Sequence, residues 1–188
     1  MLKLFMKSLF AGFLISIAGV AYLQCEDKTI GACLFSLGLI SVILLEANLF
    51  TGKIGYVYSW QTLNTSLVIL FGNLVAAAIC GSVFRVIYGT QQIMALKLLK
   101  SIPVIFWDAF FCGVCIYLAI ECFKQYKNIV CIILPVAVFI LAKGEHSIAD
   151  AFYLFASGVS LKGFFYLFII IIGNAFGSLI TRGLQIGI

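Results

Sequence analysis

Four consecutive residues, Lys143, Gly144, Glu145 and His146, interrupt the largely apolar stretch between Leu134 and Val159. His146 is the only histidine in the chain. A neutral imidazole offers one donor and one acceptor, and its unperturbed pKa of about 6.5 lies in the physiological range. An anion in a dry passage meets a large desolvation cost. A proton donor midway lets it cross as a neutral weak acid. Lys143 adds a positive charge three residues earlier; its structural alternative is snorkelling, or pairing with an acid such as Glu46 or Asp150. Glu145 would repel an anion as a carboxylate, so it is expected to accept from backbone N–H groups freed by a helix break at Gly144. A second polar cluster, Glu46 to Lys53, ends another apolar run. There Thr51 offers a hydroxyl, either to a passage or as a helix cap. Leu49 and Phe50 are candidates for an apolar constriction or for plain packing. Glu46 and Asp108 lie at membrane depth with no partner evident in the sequence.

These clusters must be held by membrane elements. The 188 residues are 64% hydrophobic and 10% charged, against about 25% charged in a soluble domain. The expectation is an all-α membrane protein forming one transmembrane domain over residues 1–188. The net charge of +5 is spread thinly, leaving no basic patch of the kind nucleic acid requires. The stretch Asn128 to Gly158 would run about 46 Å as one helix, well beyond the roughly 20 residues that cross a bilayer core. Charge near its centre therefore predicts a broken helix whose unpaired backbone lines a cavity or is buried in protein.

Six transmembrane helices are predicted: about Ser8–Leu23, a second from Thr29 interrupted at Glu46–Lys53, Ser66–Tyr88, Pro103–Phe123, the broken fifth, and about Gly163–Ile180. Ile54 to Thr65 reads as an aromatic interface segment, and Gly89 to Ser101 as a polar link. The apolar N-terminus reads as a spanning helix rather than a cleaved signal. Phe10-Ala11-Gly12 matches Phe111-Cys112-Gly113, and Gly72-Asn73 matches Gly173-Asn174. The spacing agrees, 72 − 12 = 60 and 173 − 113 = 60. Two halves of three helices, about 1–90 and 101–188, must enter the membrane in opposite senses, an inverted repeat with helices 2 and 5 interrupted. Asn73 and Asn174 are expected to hydrogen-bond the broken segments. With the termini inside, six Lys and Arg face inward and five outward, which favours cytoplasmic termini.

The seven cysteines show no zinc spacing, and Cys112-x-x-Cys115 lies in an apolar helix, where small-residue packing is expected. No metal or cofactor is expected. A membrane-embedded enzyme would need a catalytic constellation that a lone histidine does not supply.

Several motifs together resemble one family. Leu134-Pro135-Val136-Ala137 with Gly144-Glu145-His146-Ser147-Ile148-Ala149 resembles the fifth helix of the formate/nitrite transporter family, which includes formate, nitrite and hydrosulfide channels. Phe35 to Ile40 with Asn48-Leu49-Phe50-Thr51-Gly52 resembles its second helix and following loop. Phe71 to Val75 and Gly173-Asn174 resemble its third and sixth helices. The resemblance implies an aquaporin-like fold, a homopentamer with one pore per protomer, and a pore in which His146 faces Thr51 between apolar constrictions. It also implies an anion-attracting lysine before helix 4, with Lys100 or Lys97 the nearest match. The chain departs from the family at Lys143, where a glycine is usual, at Asp150, where an asparagine is usual, and at Tyr117, in the position of a helix 4 asparagine. The leading expectation is a pentameric channel for a small monovalent anion or its conjugate weak acid, in the bacterial inner membrane. The rivals are a proton-coupled transporter and a structural subunit with a degenerate pore.

Overall fold

The computed structural model describes residues 1–187, which form nine α-helices and one 3-10 turn. The elements are α1 (Leu2–Gln24), α2 (Lys28–Leu44), α3 (Phe50–Lys53), the 3-10 turn Ile54–Tyr56, α4 (Trp60–Tyr88), α5 (Ile93–Lys97), α6 (Ile102–Tyr126), α7 (Val130–Leu141), α8 (Ser147–Ser157) and α9 (Leu161–Ile186). Four of them, α1, α4, α6 and α9, are long and apolar enough to cross a membrane. The apolar helices α2 and α7 are shorter, at 17 and 12 residues, and each stops at a break before the chain resumes in α3 or α8.

Local chemistry sets the starts of these helices. The Asp27 carboxylate accepts from the Thr29 and Ile30 N–H groups at the head of α2. Ser59 and Thr62 form a reciprocal capping box that starts α4. The Ser160 hydroxyl accepts from Gly163 N–H at the start of α9. Pro103 sits in the first turn of α6, where its missing N–H costs nothing.

The long helices pack in two close pairs, α1 with α4 and α6 with α9. A Cβ on Gly12 would lie 2.5 Å from the Asn73 carbonyl oxygen, and one on Gly113 would strike the Asn174 carbonyl. Small residues therefore let backbones meet where the sequence pairs Gly12 with Asn73 and Gly113 with Asn174. Helix α8 runs through the middle of the molecule, against α4, α1, α9 and α5, and every residue from Ser147 to Leu154 is buried.

The structure differs from the sequence expectation at several boundaries. The long helices extend beyond their uncharged cores, because Lys and Arg at the ends are solvated without breaking the helix. The link after α4 is not irregular: α5 forms inside it, anchored by the fully buried Met94 and by a bond from Gln91 N–H to Ala156 O at 3.1 Å. Much of the expected interface segment is helical, since the capping box starts α4 at Trp60, although Tyr58 and Trp60 are exposed as such a segment requires. All seven cysteines are free thiols, and Cys112 and Cys115 are packed in the core.

Candidate functional site

The two breaks have one design. Helix α2 ends with Glu46 at φ 50° and α7 with Lys143 at φ 61°, so a left-handed residue turns the chain in each. Gly144, expected at the break, is there for space rather than for a positive φ. A Cβ on it would lie 2.8 Å from Phe139 O, the acceptor of its own N–H. In the first break Ala47 N–H bonds Val42 O and Asn48 N–H bonds Lys7 O, at 2.9 and 3.1 Å. In the second Gly144 N–H bonds Phe139 O and Glu145 N–H bonds Asp108 O, at 2.7 and 3.2 Å.

One asparagine closes each break. The Asn73 amide donates to Ser8 O and Asn48 O, at 2.7 and 2.9 Å, and its carbonyl accepts from Phe50 N–H at 2.8 Å. Asn174 donates to Ala109 O and Glu145 O, both at 2.8 Å, and accepts from Ser147 N–H at 2.8 Å. Buried backbone must find partners. A fully buried amide with two donors and one carbonyl satisfies three such groups at once.

With the breaks fixed, Thr51 and His146 meet. Thr51 Oγ1 lies 2.9 Å from His146 Nε2, and both residues are buried. His146 is also the N-cap of α8, with Nδ1 accepting from Ala149 N–H at 3.2 Å. A nitrogen that accepts carries no proton, so the bonding pattern assigns the neutral ring an Nε2–H that donates to Thr51. The ring stacks on Phe139, with centroids 6.2 Å apart, and meets Phe35 edge-on at 6.4 Å.

Two cavities lie near this pair: His146 lines the first, Leu49 and Gly52, which flank Thr51 in the chain, line the second, and Thr51 itself lines neither. The first, about 420 Å³, is lined by His146, Phe35, Phe139, Lys97, Lys100, Lys143, Glu145 and Asp150, among others. The second, about 640 Å³, is lined by Leu49, Leu39, Tyr56, Lys7, Lys53, Lys124, Lys127 and Glu46, among others. Formal lining charge is 3 − 2 = +1 in the first and 4 − 1 = +3 in the second.

The first cavity holds a dense ionic cluster. Glu145 receives both Lys97 and Lys100, the latter at 2.6 Å. Lys100 also reaches Asp108 at 2.6 Å and donates to Lys143 O at 3.1 Å. Lys97 Nζ lies 2.6 Å from Asp150 Oδ1, outside hydrogen-bond alignment, so neither Asp150 oxygen has a hydrogen-bond partner among the described residues. Burial works against the Lys100 ammonium, but Glu145 and Asp108 outweigh it and hold its pKa above the ordinary lysine value.

Comparison with known proteins fits this architecture. The family model described as formate/nitrite transporter matches residues 1–186. The chain belongs to the formate/nitrite transporter family. Among solved structures it is similar to one described as an FNT family ion channel, with TM-score 0.87 and 19% identity over 99% of this chain and 89% of that one. It is also similar to a pentameric formate channel with formate bound, with TM-score 0.79 and 21% identity over 98% of this chain and 94% of that one. These two likenesses bear on the fold. Comparison with curated proteins gives no match. The family consists of channels and transporters, not enzymes, and this member is an integral membrane protein.

Within this family member several sequence expectations need correction. Glu145 does not serve unpaired N–H groups with its carboxylate; two lysine ammoniums occupy it, while its backbone is satisfied by Asp108 and Asn174. Lys143 pairs with neither Glu46 nor Asp150, because Lys7 lies 3.5 Å from the first and Lys97 holds the second. Its side chain is exposed and lines the first cavity. Lys97 and Lys100 are not alternatives, since both enter the cluster. Leu49 lines the second cavity, whereas Phe50 is buried beside it and borders neither. Tyr117 donates to Gln185 at 2.5 Å, next to the Tyr56 ring. Nothing in the motifs marks Phe35 and Phe139 as walls around His146, or Lys97 as the partner of Asp150. A signal for Lys97 was present. Asp108, Glu145 and Asp150 at membrane depth required cations, and two lysines three residues apart stand just before α6.

Proposed function

We propose that this protein is a homopentameric channel passing a small monovalent anion or its conjugate weak acid, of the formate, nitrite or hydrosulfide class. The observation that carries the reading is the buried Thr51–His146 contact, with one cavity reaching His146 and a second reaching Leu49 and Gly52 beside Thr51. Each protomer holds one passage, and the solved pentameric formate channel supports the assembly and the ligand class by likeness. The fold is read as six crossing segments in two three-helix halves of opposite sense, with breaks in the second segment of each. Supporting it, the bonds of Asn73 recur at Asn174, 174 − 73 = 101 residues on, and those of Phe50 at Ser147, 147 − 50 = 97 on. The breaks correspond to the paired interruptions that mark permeation sites.

The site chemistry suits a dry crossing. Phe35 and Phe139 narrow one side of the pair and Leu49 the other. Between them a permeant anion meets the Thr51 hydroxyl and the His146 Nε2–H in place of water. His146 acts as a hydrogen-bond donor. Surrendering its one proton would leave an imidazolate, and a second proton on Nδ1 would face the Ala149 N–H. A proton that neutralises the anion therefore comes from water or another group. Lys143, the first-cavity lysine that no carboxylate engages, draws the anion toward that cavity, and Lys7, Lys53, Lys124 and Lys127 draw it toward the second.

The termini are placed in the cytoplasm of a bacterial inner membrane. With the termini inside, six Lys and Arg face inward and five outward, which supports that placement. The test is flux of formate, nitrite and hydrosulfide into proteoliposomes, with particle size measured in mild detergent. Saturable or fast flux of one of them through a pentamer is expected; no flux of any, or a monomer, overturns the reading. Proton-coupled transport is the second reading, favoured by the carboxylate excess in the ionic cluster.

A further inference from the structure

We infer that Asp150 is a proton-binding residue of the first cavity, and that its protonation admits the anion. The inference rests on the channel reading above but concerns a residue that reading does not use.

Charge counting carries the argument. Lys97 and Lys100 face three carboxylates, those of Asp108, Glu145 and Asp150. Fully ionised, the five groups sum to 2 − 3 = −1. A buried charge without a counter-charge is expensive, and one proton removes it. Geometry selects Asp150 as the group that takes it. Glu145 is held by two ammoniums, and Asp108 is partly exposed and hydrogen-bonded to Lys100. Asp150 is fully buried, shares one misaligned ammonium, and has no hydrogen-bond partner among the described residues.

The surroundings define what the proton changes. Lys97 of α5, Glu145 of the break, His146 and Tyr153 of α8, Cys112 of α6 and Tyr22 of α1 are the titratable groups nearest this carboxyl. Of these only Lys97 is a cation while His146 stays neutral. The exposed Lys143 also lines the cavity, and when Asp108, held by Lys100 outside the lining, is counted with it, the sum over three lysines and three carboxylates is 3 − 3 = 0. A proton taken from cavity water by an Asp150 oxygen makes the carboxylate a neutral acid and the sum +1. The cavity then favours an anion. On deprotonation the proton returns to water and the attraction is lost. Proton uptake and anion uptake are thereby coupled in the same direction.

The test compares wild type with Asp150→Asn, an isostere of the protonated form, in liposomes between about pH 5 and pH 8, a range spanning physiological pH. Formate and nitrite are the probes. The ratio of wild-type to variant flux at each pH cancels the speciation of the permeant acid. A ratio near one in acid is expected, falling on the order of tenfold at the alkaline end as one unit charge is added to a partly shielded cavity. Infrared difference spectra of the same samples should show a buried carboxylic-acid band that grows on acidification in wild type and is missing in Asp150→Asn. A pH-independent ratio, or a wild-type spectrum without that band, overturns the proposal. Absence of flux from wild type at every pH would instead sink the channel reading, and the infrared measurement would still decide the role of Asp150.

Discussion

His146 gives its Nε2–H to Thr51 because its other nitrogen, Nδ1, is committed to the Ala149 N–H. The helix break thus fixes both the position and the tautomer of the imidazole. Replacing Thr51 by Val keeps the shape and removes the acceptor. An unsatisfied buried donor costs about 1–3 kcal/mol, roughly fivefold to a hundredfold in rate if the cost falls on the crossing step. Thr51→Val should assemble normally and carry at least several-fold less anion in proteoliposomes, and Thr51→Ser should restore flux. Wild-type flux from Thr51→Val would remove Thr51 from the passage.

Gly173 and Gly183 make a matched pair on α9. A Cβ at Gly173 would lie 2.6 Å from Ala109 Cβ and 2.8 Å from Phe106 O, whereas one at Gly183 meets nothing within 4 Å. Gly173→Leu should separate α6 from α9, with loss of assembly in mild detergent and a lower melting temperature. Gly183→Leu should leave both unchanged. Equal behaviour of the two variants would contradict close packing as the reason for Gly173.

This close packing shows how much of the fold was legible. Gly12, Asn73, Gly113 and Asn174 announced themselves by equal spacing, and the structure brings each glycine onto its asparagine. The break at Lys143–His146 was readable because a cluster of charges in the middle of a membrane helix is costly unless the backbone there lines a cavity or is buried in protein. What stayed hidden was partnership. Which lysine meets Glu145 or Asp150 depends on how α5 folds back over α8, and the six polar residues scattered through the link from Gly89 to Ser101 carry no periodic signal for that. The Phe35 and Phe139 walls were equally invisible, because in a membrane helix an aromatic facing a passage and one facing lipid look alike.

Lys143 holds a left-handed φ of 61° without being glycine. Lys143→Gly should relieve that conformation, stabilising the fold by up to about 1 kcal/mol. It also removes the one exposed cation of the first cavity, so flux at low anion concentration should fall several-fold. Thermal melting and concentration-dependent flux check the two effects separately. Loss of both stability and flux would instead give the Lys143 side chain a structural role.

The Lys100 bridge sets an alkaline limit. Its pKa is raised in the folded protein by Glu145 and Asp108 against the effect of burial. A raised value contributes stability that is complete below the unfolded lysine pKa of about 10.4 and is lost as pH climbs through the folded value. Melting temperature should hold through neutral and mildly alkaline pH and then decline, and Lys100→Met should remove this dependence while lowering stability throughout. A profile identical in wild type and variant would mean that the bridge adds no net stability.

The two left-handed residues that end α2 and α7 carry opposite charges, Glu46 at one break and Lys143 at the other. Glu46 is answered by Lys7, and the mouth beyond it holds three further lysines, whereas Lys143 stands over a cluster whose charges nearly cancel. The passage is thus framed alike at both ends but biased differently. On the proposed channel reading, an anion would wait at higher local concentration in the mouth lined by Lys7, Lys53, Lys124 and Lys127. Under equal and opposite gradients such a conduit rectifies, conducting more readily from that mouth, and high salt levels the two directions by screening the lysines.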